Sequence, residues 1–147
     1  LTKKAKSEGI EISSEALFLA SKAMAQKVRH YMDMRSTKMR LINGGARGLH
    51  HFTEWVGCDV SNTINWLGTA DKLIEADLPV IERFNDPVAL DIIDELVNKM
   101  EDFRKAYFTG ALKSEEYHDF GPVELFCSSF RGHWKKELEI IKEERNR

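Results

Sequence analysis

The feature that most constrains the fold is a long apolar stripe in the last third of the chain. Val123, Phe126, Cys127, Phe130, Trp134, Leu138 and Ile141 recur at steps of three and four. Side chains three and four apart share one face of an α-helix, so this stripe predicts an amphipathic helix that needs a wall to lie against. It is fed by the stretch Lys113-Ser114-Glu115-Glu116-Tyr117-His118-Asp119-Phe120-Gly121-Pro122. A helix start there falls at Ser114, as a cap, or at Gly121-Pro122, since proline is at home in a first turn.

Upstream, three more segments offer walls. Ser13 or Ser14 caps a first predicted helix over residues 13–42, whose stripe is Leu17, Ala20, Met24, Val28, Tyr31, Met34, Met39 and Ile42. Asn43-Gly44-Gly45 ends it, because these residues accept the positive φ of a helix stop. A second predicted helix runs over about 46–75 on Leu49, Phe52, Val56, Val60, Ile64, Leu67, Ala70 and Ile74, with Gly57 and Gly68 inside it at a cost of roughly 1 kcal/mol each. A third spans 87–108 on Leu90, Ile93, Val97, Met100, Phe103 and Tyr107, closed by Gly110. Val and Ile fall in helical spacing, and no strand is predicted.

Four helices of similar length with short connections predict an all-α, antiparallel up-down-up-down four-helix bundle, with Gly44 and Gly110 turning the hairpins at a shared end. At 147 residues the chain suits one domain with a core of its own. Its 22 basic and 24 acidic residues, a formal charge of −2, argue against a nucleic-acid binder. Two cysteines, Cys58 and Cys127, are too few for a disulfide framework. On diagonal helices they lie too far apart to bond, so free thiols are expected. No apolar run reaches the ~20 residues of a membrane span. The start at Leu1 and the charged end Lys142-Glu143-Glu144-Arg145-Asn146-Arg147 suggest a piece of a longer protein.

Counting from the shared end of such a bundle brings His51, Glu54 and Trp55 to the level of Arg35 and His118, with Glu115 nearby. Imidazoles, carboxylates and a guanidinium at one level suit a small-molecule ligand or a divalent metal. Deeper in, His30, Cys58 and Cys127 share a level, so His30, Cys58, His51 and His118 form an alternative metal set. Haem would use His30 with a facing methionine such as Met100, although no Cys-x-x-Cys-His motif is present. Glu115-x-x-His118 occurs once, whereas di-iron bundles need that motif on two helices. Trp55, Trp66, Trp134, Phe126 and Phe130 suit a pocket lining or, more simply, core. Lys38, Arg40 and Arg47 near the first connection suit an anion or a solvated helix end. No nucleophile elbow, phosphate loop or separated acid-base pair is present, so no enzyme is expected.

The segment Tyr107-Phe108-Thr109-Gly110-Ala111-Leu112, continuing through Pro122 to Phe126, resembles the four-helix-bundle sensor domains of bacterial chemoreceptors and related sensor kinases, where a third helix ends near a glycine and a proline-bearing loop opens the fourth. The resemblance extends over the chain as length and helix order. It implies an extracytoplasmic ligand-sensing domain of a methyl-accepting chemotaxis-type receptor on the periplasmic side of the inner membrane. It also implies flanking membrane segments, homodimerisation through the first helix, and signalling by displacement of the fourth helix. The family's ligand arginines would correspond to Arg35 and Arg40 on the first helix and to Arg131 on the fourth; its usual ligand motif is not reproduced.

Overall fold

The structure, a computed structural model, describes residues 1–46 and 48–146. In chain order it comprises α1 (Thr2–Glu8), α2 (Ser14–Met34), β1 (Leu41–Ala46), α3 (His50–Thr53), β2 (Val60–Ile64), α4 (Asp71–Ala76), α5 (Leu90–Lys99), α6 (Glu101–Tyr107) and α7 (Gly121–Arg145). The expected all-α bundle is not formed. The two strands pair as a small parallel sheet, and three of the four predicted rods are broken.

The first predicted rod starts where expected and stops early. The Ser13 hydroxyl accepts a hydrogen bond from the Ala16 amide at 3.1 Å, which caps α2. At the other end Ser36 adopts φ 48°, the Ser36 amide donates to the Asp33 carbonyl, and the Thr37 amide donates to the Met32 carbonyl. These paired back-bonds satisfy the last carbonyls and end the helix at Met34. The role expected of glycine is taken by a serine, so the sequence carries no stop signal there.

Asn43-Gly44-Gly45 lies within β1, where the register slips between Asn43 and Ala46 and Gly45 takes φ 77°. It forms a bulge and not a helix end. Leu41, Ile42 and Asn43 pair with Val60, Ser61 and Asn62, and Asn43 Nδ2 donates to Asn62 Oδ1 at 2.9 Å. The second predicted rod therefore dissolves into α3, β2 and α4. Val60 and Ile64 satisfy a helical step of four, but they equally satisfy a strand period of two with Asn62 between. Gly57 settles the matter: at φ 96° it turns the chain so closely against Glu82 that a Cβ would lie 2.5 Å from Glu82 Cγ. The Val56 carbonyl accepts from the amides of both Arg83 and Phe84.

The third rod breaks at Met100, whose φ −121° and ψ 95° separate α5 from α6. The contacts fix the path. Gln26 donates to the Phe84 and Asp86 carbonyls while Ser13 bonds Glu95, so α5 runs back along α2. Past the bend, Lys27 donates to the Tyr107 carbonyl and Tyr31 bonds Thr109, so α6 follows α2 forward again. The α5–α6 elbow clasps α2 through its alanine face, Ala16, Ala20 and Ala23, against Ile92, Leu96, Met100 and Phe103. Small residues on one side let the second backbone approach closely, and Leu96 and Met100 are fully buried. A second core gathers Ala25, Trp55 and Phe84, with Leu41, Cys58 and Val60 of the sheet region against it. The fourth rod forms from Gly121, one of its two expected starts, with proline in its first turn, while Ser114–Tyr117 forms a separate short 3-10 turn; yet α7 buries none of its residues.

Candidate functional site

The C-terminal third of α2 extends past the elbow that covers the rest of it. Val28, Tyr31, Met32 and Arg35 stand on one face there, at steps of three and four. With Thr37, Met39 and Thr109 they line a cleft of about 290 Å³. Its walls are apolar. Its polar side chains are Arg35, Thr37, whose hydroxyl accepts from the Met39 amide at 3.0 Å, and the hydrogen-bonded pair Tyr31 Oη and Thr109 Oγ1.

A second, more polar hollow adjoins it, lined by Arg29, Met32, Asp33, Thr37, Lys38, Met39, Arg40 and Asp59. Arg29 is held by Asp33 at 2.9 Å, and the hydrogen bond to that carboxylate raises its pKa above the ordinary value. Among the described residues Arg35, Lys38 and Arg40 make no ion pair. The result is a short apolar cleft beside Arg35, Lys38 and Arg40, which make no ion pair among the described residues, although Asp33 and Asp59 line the adjoining hollow. Of the expected anion-attracting set, Arg47 lies outside the described residues.

The other residues expected at one level with Arg35 are elsewhere. His50 stacks on Phe18 with ring centroids 4.5 Å apart, and His51 lies 4.0 Å from His50. Phe18 and Arg35 are 17 positions apart along α2 and its cap, which is roughly 25 Å of helix. Burial pushes the His50 imidazole below its usual pKa; the charge on His51 adds to this and Glu54 opposes it.

Glu54 is already used: it bonds the buried Lys22 ammonium at 2.9 Å and lies 3.4 Å from Arg83. Trp55 is buried against Phe84, 5.7 Å between centroids, and so serves as core. His118 is exposed in the connection before α7. The shared level assumed that residues 46–75 continue as one rod; the turn at Ser36 and the strand pair redirect them instead.

The alternative metal set is not assembled either. His30 is exposed and lines a shallow hollow with Gln26, Arg29, Asp33, Phe84, Asn85 and Pro87. Cys58 is half-buried near Arg29 and Asp33, and burial raises its thiol pKa, opposed by Arg29. Met100 is sealed inside the first core. Among the described residues no group of three or more His, Cys, Asp or Glu side chains is placed to hold a metal ion. Both cysteines are free, as expected, although the diagonal-helix argument for it does not apply.

Arg35 and Arg40 stand out in the sequence by their charge, but the cleft beside them does not. Val28, Tyr31 and Met39 belong to the predicted buried stripe, and only the early stop of α2 leaves them lining an open wall. Among the described residues no helix is long and apolar enough to cross a membrane. In comparisons with protein families, with curated proteins and with solved structures, nothing matches this chain.

Proposed function

We propose that this chain is a non-catalytic ligand-binding domain that takes a small amphipathic anion, an acidic head on an apolar body, in the cleft at the C-terminal end of α2. One observation carries the reading: apolar walls of Val28, Met32 and Met39 stand beside the Arg35 guanidinium, which makes no ion pair among the described residues. Small-molecule sites have this character, mostly apolar with few polar groups that orient the ligand. The α2 terminus opposes an anion by ~0.3–1 kcal/mol. A charge-assisted hydrogen bond from Arg35 contributes ~1.5–3 kcal/mol and outweighs it.

Occupancy has a route outward. The cleft spans α2 and Thr109, and Thr109 opens the connection that leads to α7. A ligand that bridges Arg35 and Thr109 favours arrangements in which that connection is fixed against α2, so sensing rests on differential binding to two states. This retains ligand sensing from the chemoreceptor resemblance. It drops the rod displacement of a four-helix bundle, which this chain does not form.

The test is a thermal-shift and calorimetric series with octanoate, octanol and octylamine on the wild type and on Arg35→Gln. Octanoate raises the melting temperature of the wild type, octylamine does not, and Arg35→Gln weakens octanoate binding about tenfold. An equal response to octanoate and octylamine, or an undiminished response in Arg35→Gln, overturns the reading.

A further inference from the structure

The helix α7 is 25 residues long and buries none of them. Its apolar face is nevertheless built of large side chains: Phe126, Phe130 and Trp134 are 67%, 63% and 64% exposed, and Val123, Leu138 and Ile141 continue the stripe. A lone helix with such a face is a poor end state in water, because helices hold their form in proteins chiefly through the burial of that face. We propose that α7 is the self-association element of this protein and pairs antiparallel with α7 of a second copy.

Area supports a partner of this size. The three aromatic rings leave on the order of 400 Å² uncovered, and with the flanking aliphatic side chains the face reaches roughly 700 Å². That exceeds the patch of ~300–600 Å² typical of a monomer and comes close to the ~800 Å² per partner of a stable interface. The alanine face of α2, the long helix through which the resemblance implies dimerisation, is already occupied by α5.

Charge favours a second copy over a lipid surface. The residues Arg131, Lys135, Lys136, Lys142 and Arg145 balance Glu124, Glu137, Glu139, Glu143 and Glu144, so α7 carries no net charge. A helix adapted to an anionic bilayer is basic on its polar face. Charge also favours the antiparallel sense. With the two-fold axis at Trp134, Phe130 faces Leu138 and Cys127 faces Ile141 of the other copy. Arg131 then lies level with Glu137 of the other copy and the helix dipoles oppose, while Glu124 lies level with Glu144 and within a turn of Lys142 and Arg145. The body joins α7 at its N-terminal end, where Gly121 abuts Asp102, so this sense also keeps the two bodies apart.

Light scattering across a concentration series, on the full chain, reads the assembly state. The wild type forms a dimer at micromolar concentration. Trp134→Glu and Phe130→Glu shift it to monomer by at least tenfold in dissociation constant, with an unchanged unfolding midpoint for the body. In a Cys58→Ser background, Ile141→Cys forms an intermolecular disulfide to Cys127 on mild oxidation, which sets the sense. A wild type that stays monomeric at about 100 µM overturns the proposal. So do binding to anionic vesicles without self-association, and a link between the two copies of Cys127 in place of one from Cys127 to the thiol introduced at position 141.

Discussion

The clasp of α2 by α5 and the bare helix α7 present the same kind of sequence, an apolar residue every three or four positions, and opposite fates. On α2 the facing residues Ala16, Ala20 and Ala23 are small, and the larger side chains Ile92, Leu96 and Phe103 come from the other side. Large meets small, and the backbones close. On α7 the stripe is large throughout, with Phe126 and Phe130 rings 5.0 Å apart on the same face. Such a face cannot close on a similar face of the body without a groove to receive its rings. Amphipathicity therefore says that a helix will be covered, while side-chain size says whether its own chain can do the covering.

That contrast is sharpest for core deletions. Leu96→Ala removes a fully buried side chain at the centre of the clasp and is expected to cost about 3 kcal/mol or more in a denaturant titration. Trp134→Ala, a larger truncation, is expected to change body stability by less than about 0.5 kcal/mol when measured at concentrations that keep the chain monomeric. Comparable losses at the two positions would mean that α7 is covered by its own body, and the contrast would fail.

The next effect concerns the polar seam at the edge of the second core. Lys22 is 5% exposed and depends on Glu54, which also faces Arg83. Glu54→Ala leaves the buried ammonium without its carboxylate and is expected to cost about 2–3 kcal/mol, somewhat below the full value for a buried pair because Glu54 retains some solvent. The double variant Glu54→Ala, Lys22→Met should recover most of that loss. Failure to recover would show that Glu54 acts through packing and not through charge.

A smaller effect, of opposite sign, tests the stop of α2. Ser36 holds a left-handed backbone at φ 48°, which costs a side-chain-bearing residue about 1 kcal/mol relative to glycine. Ser36→Gly should therefore stabilise the chain by about that amount. Were the helix to continue through Ser36, as its stripe suggests, the same change would destabilise by a similar amount.

These positions also show what the sequence makes legible and what it hides. The Ser13 cap, the start of α7 at Gly121-Pro122 and the positive φ of Gly110 rest on local chemistry, and a few residues narrow the cap to Ser13 or Ser14 and the start to Ser114 or Gly121-Pro122. The early stop at Ser36 is not, because the back-bonds that create it engage main-chain groups that any residue possesses. Strand β2 is hidden because Val60, Asn62 and Ile64 serve a period of two as well as Val60 and Ile64 serve a step of four; the parallel partner nineteen positions upstream decides, and no local window contains it. The candidate cleft inherits the same blindness. The sequence singles out Arg35 for its charge, but the open wall beside it exists only because α2 stops, and the residues grouped with it go elsewhere for that same reason.

The smallest expected effect lies in acid, at the N-terminal end of the clasp. The carboxyl of Glu95 accepts from the Ser13 hydroxyl at 2.6 Å, from Lys99 at 2.9 Å and from the Ser13 amide at 3.0 Å. These bonds, the Ser13 hydroxyl first, lower its pKa from an ordinary 4.5 to about 2. A carboxyl held down in the folded chain contributes stability that is fully present above its unfolded pKa and is lost as pH falls through the folded one. The contribution is therefore complete above about pH 4.5 and gone near pH 2. In Glu95→Gln it is absent at every pH, so the melting curves of variant and wild type should converge as the solution is acidified through that window. Ser13→Ala removes the hydroxyl bond to Glu95 together with the cap on Ala16, and the cap does not titrate. Its deficit should narrow over the same window yet level off at a residue of about 1 kcal/mol. Because Glu95 sits near the surface, salt should shrink the titrating part and leave the cap untouched. A deficit in Glu95→Gln that holds constant from pH 6 down to 2 would mean that the bonds from Ser13 do not favour the charged carboxylate. Ser13 would then tie α2 to α5 by packing alone.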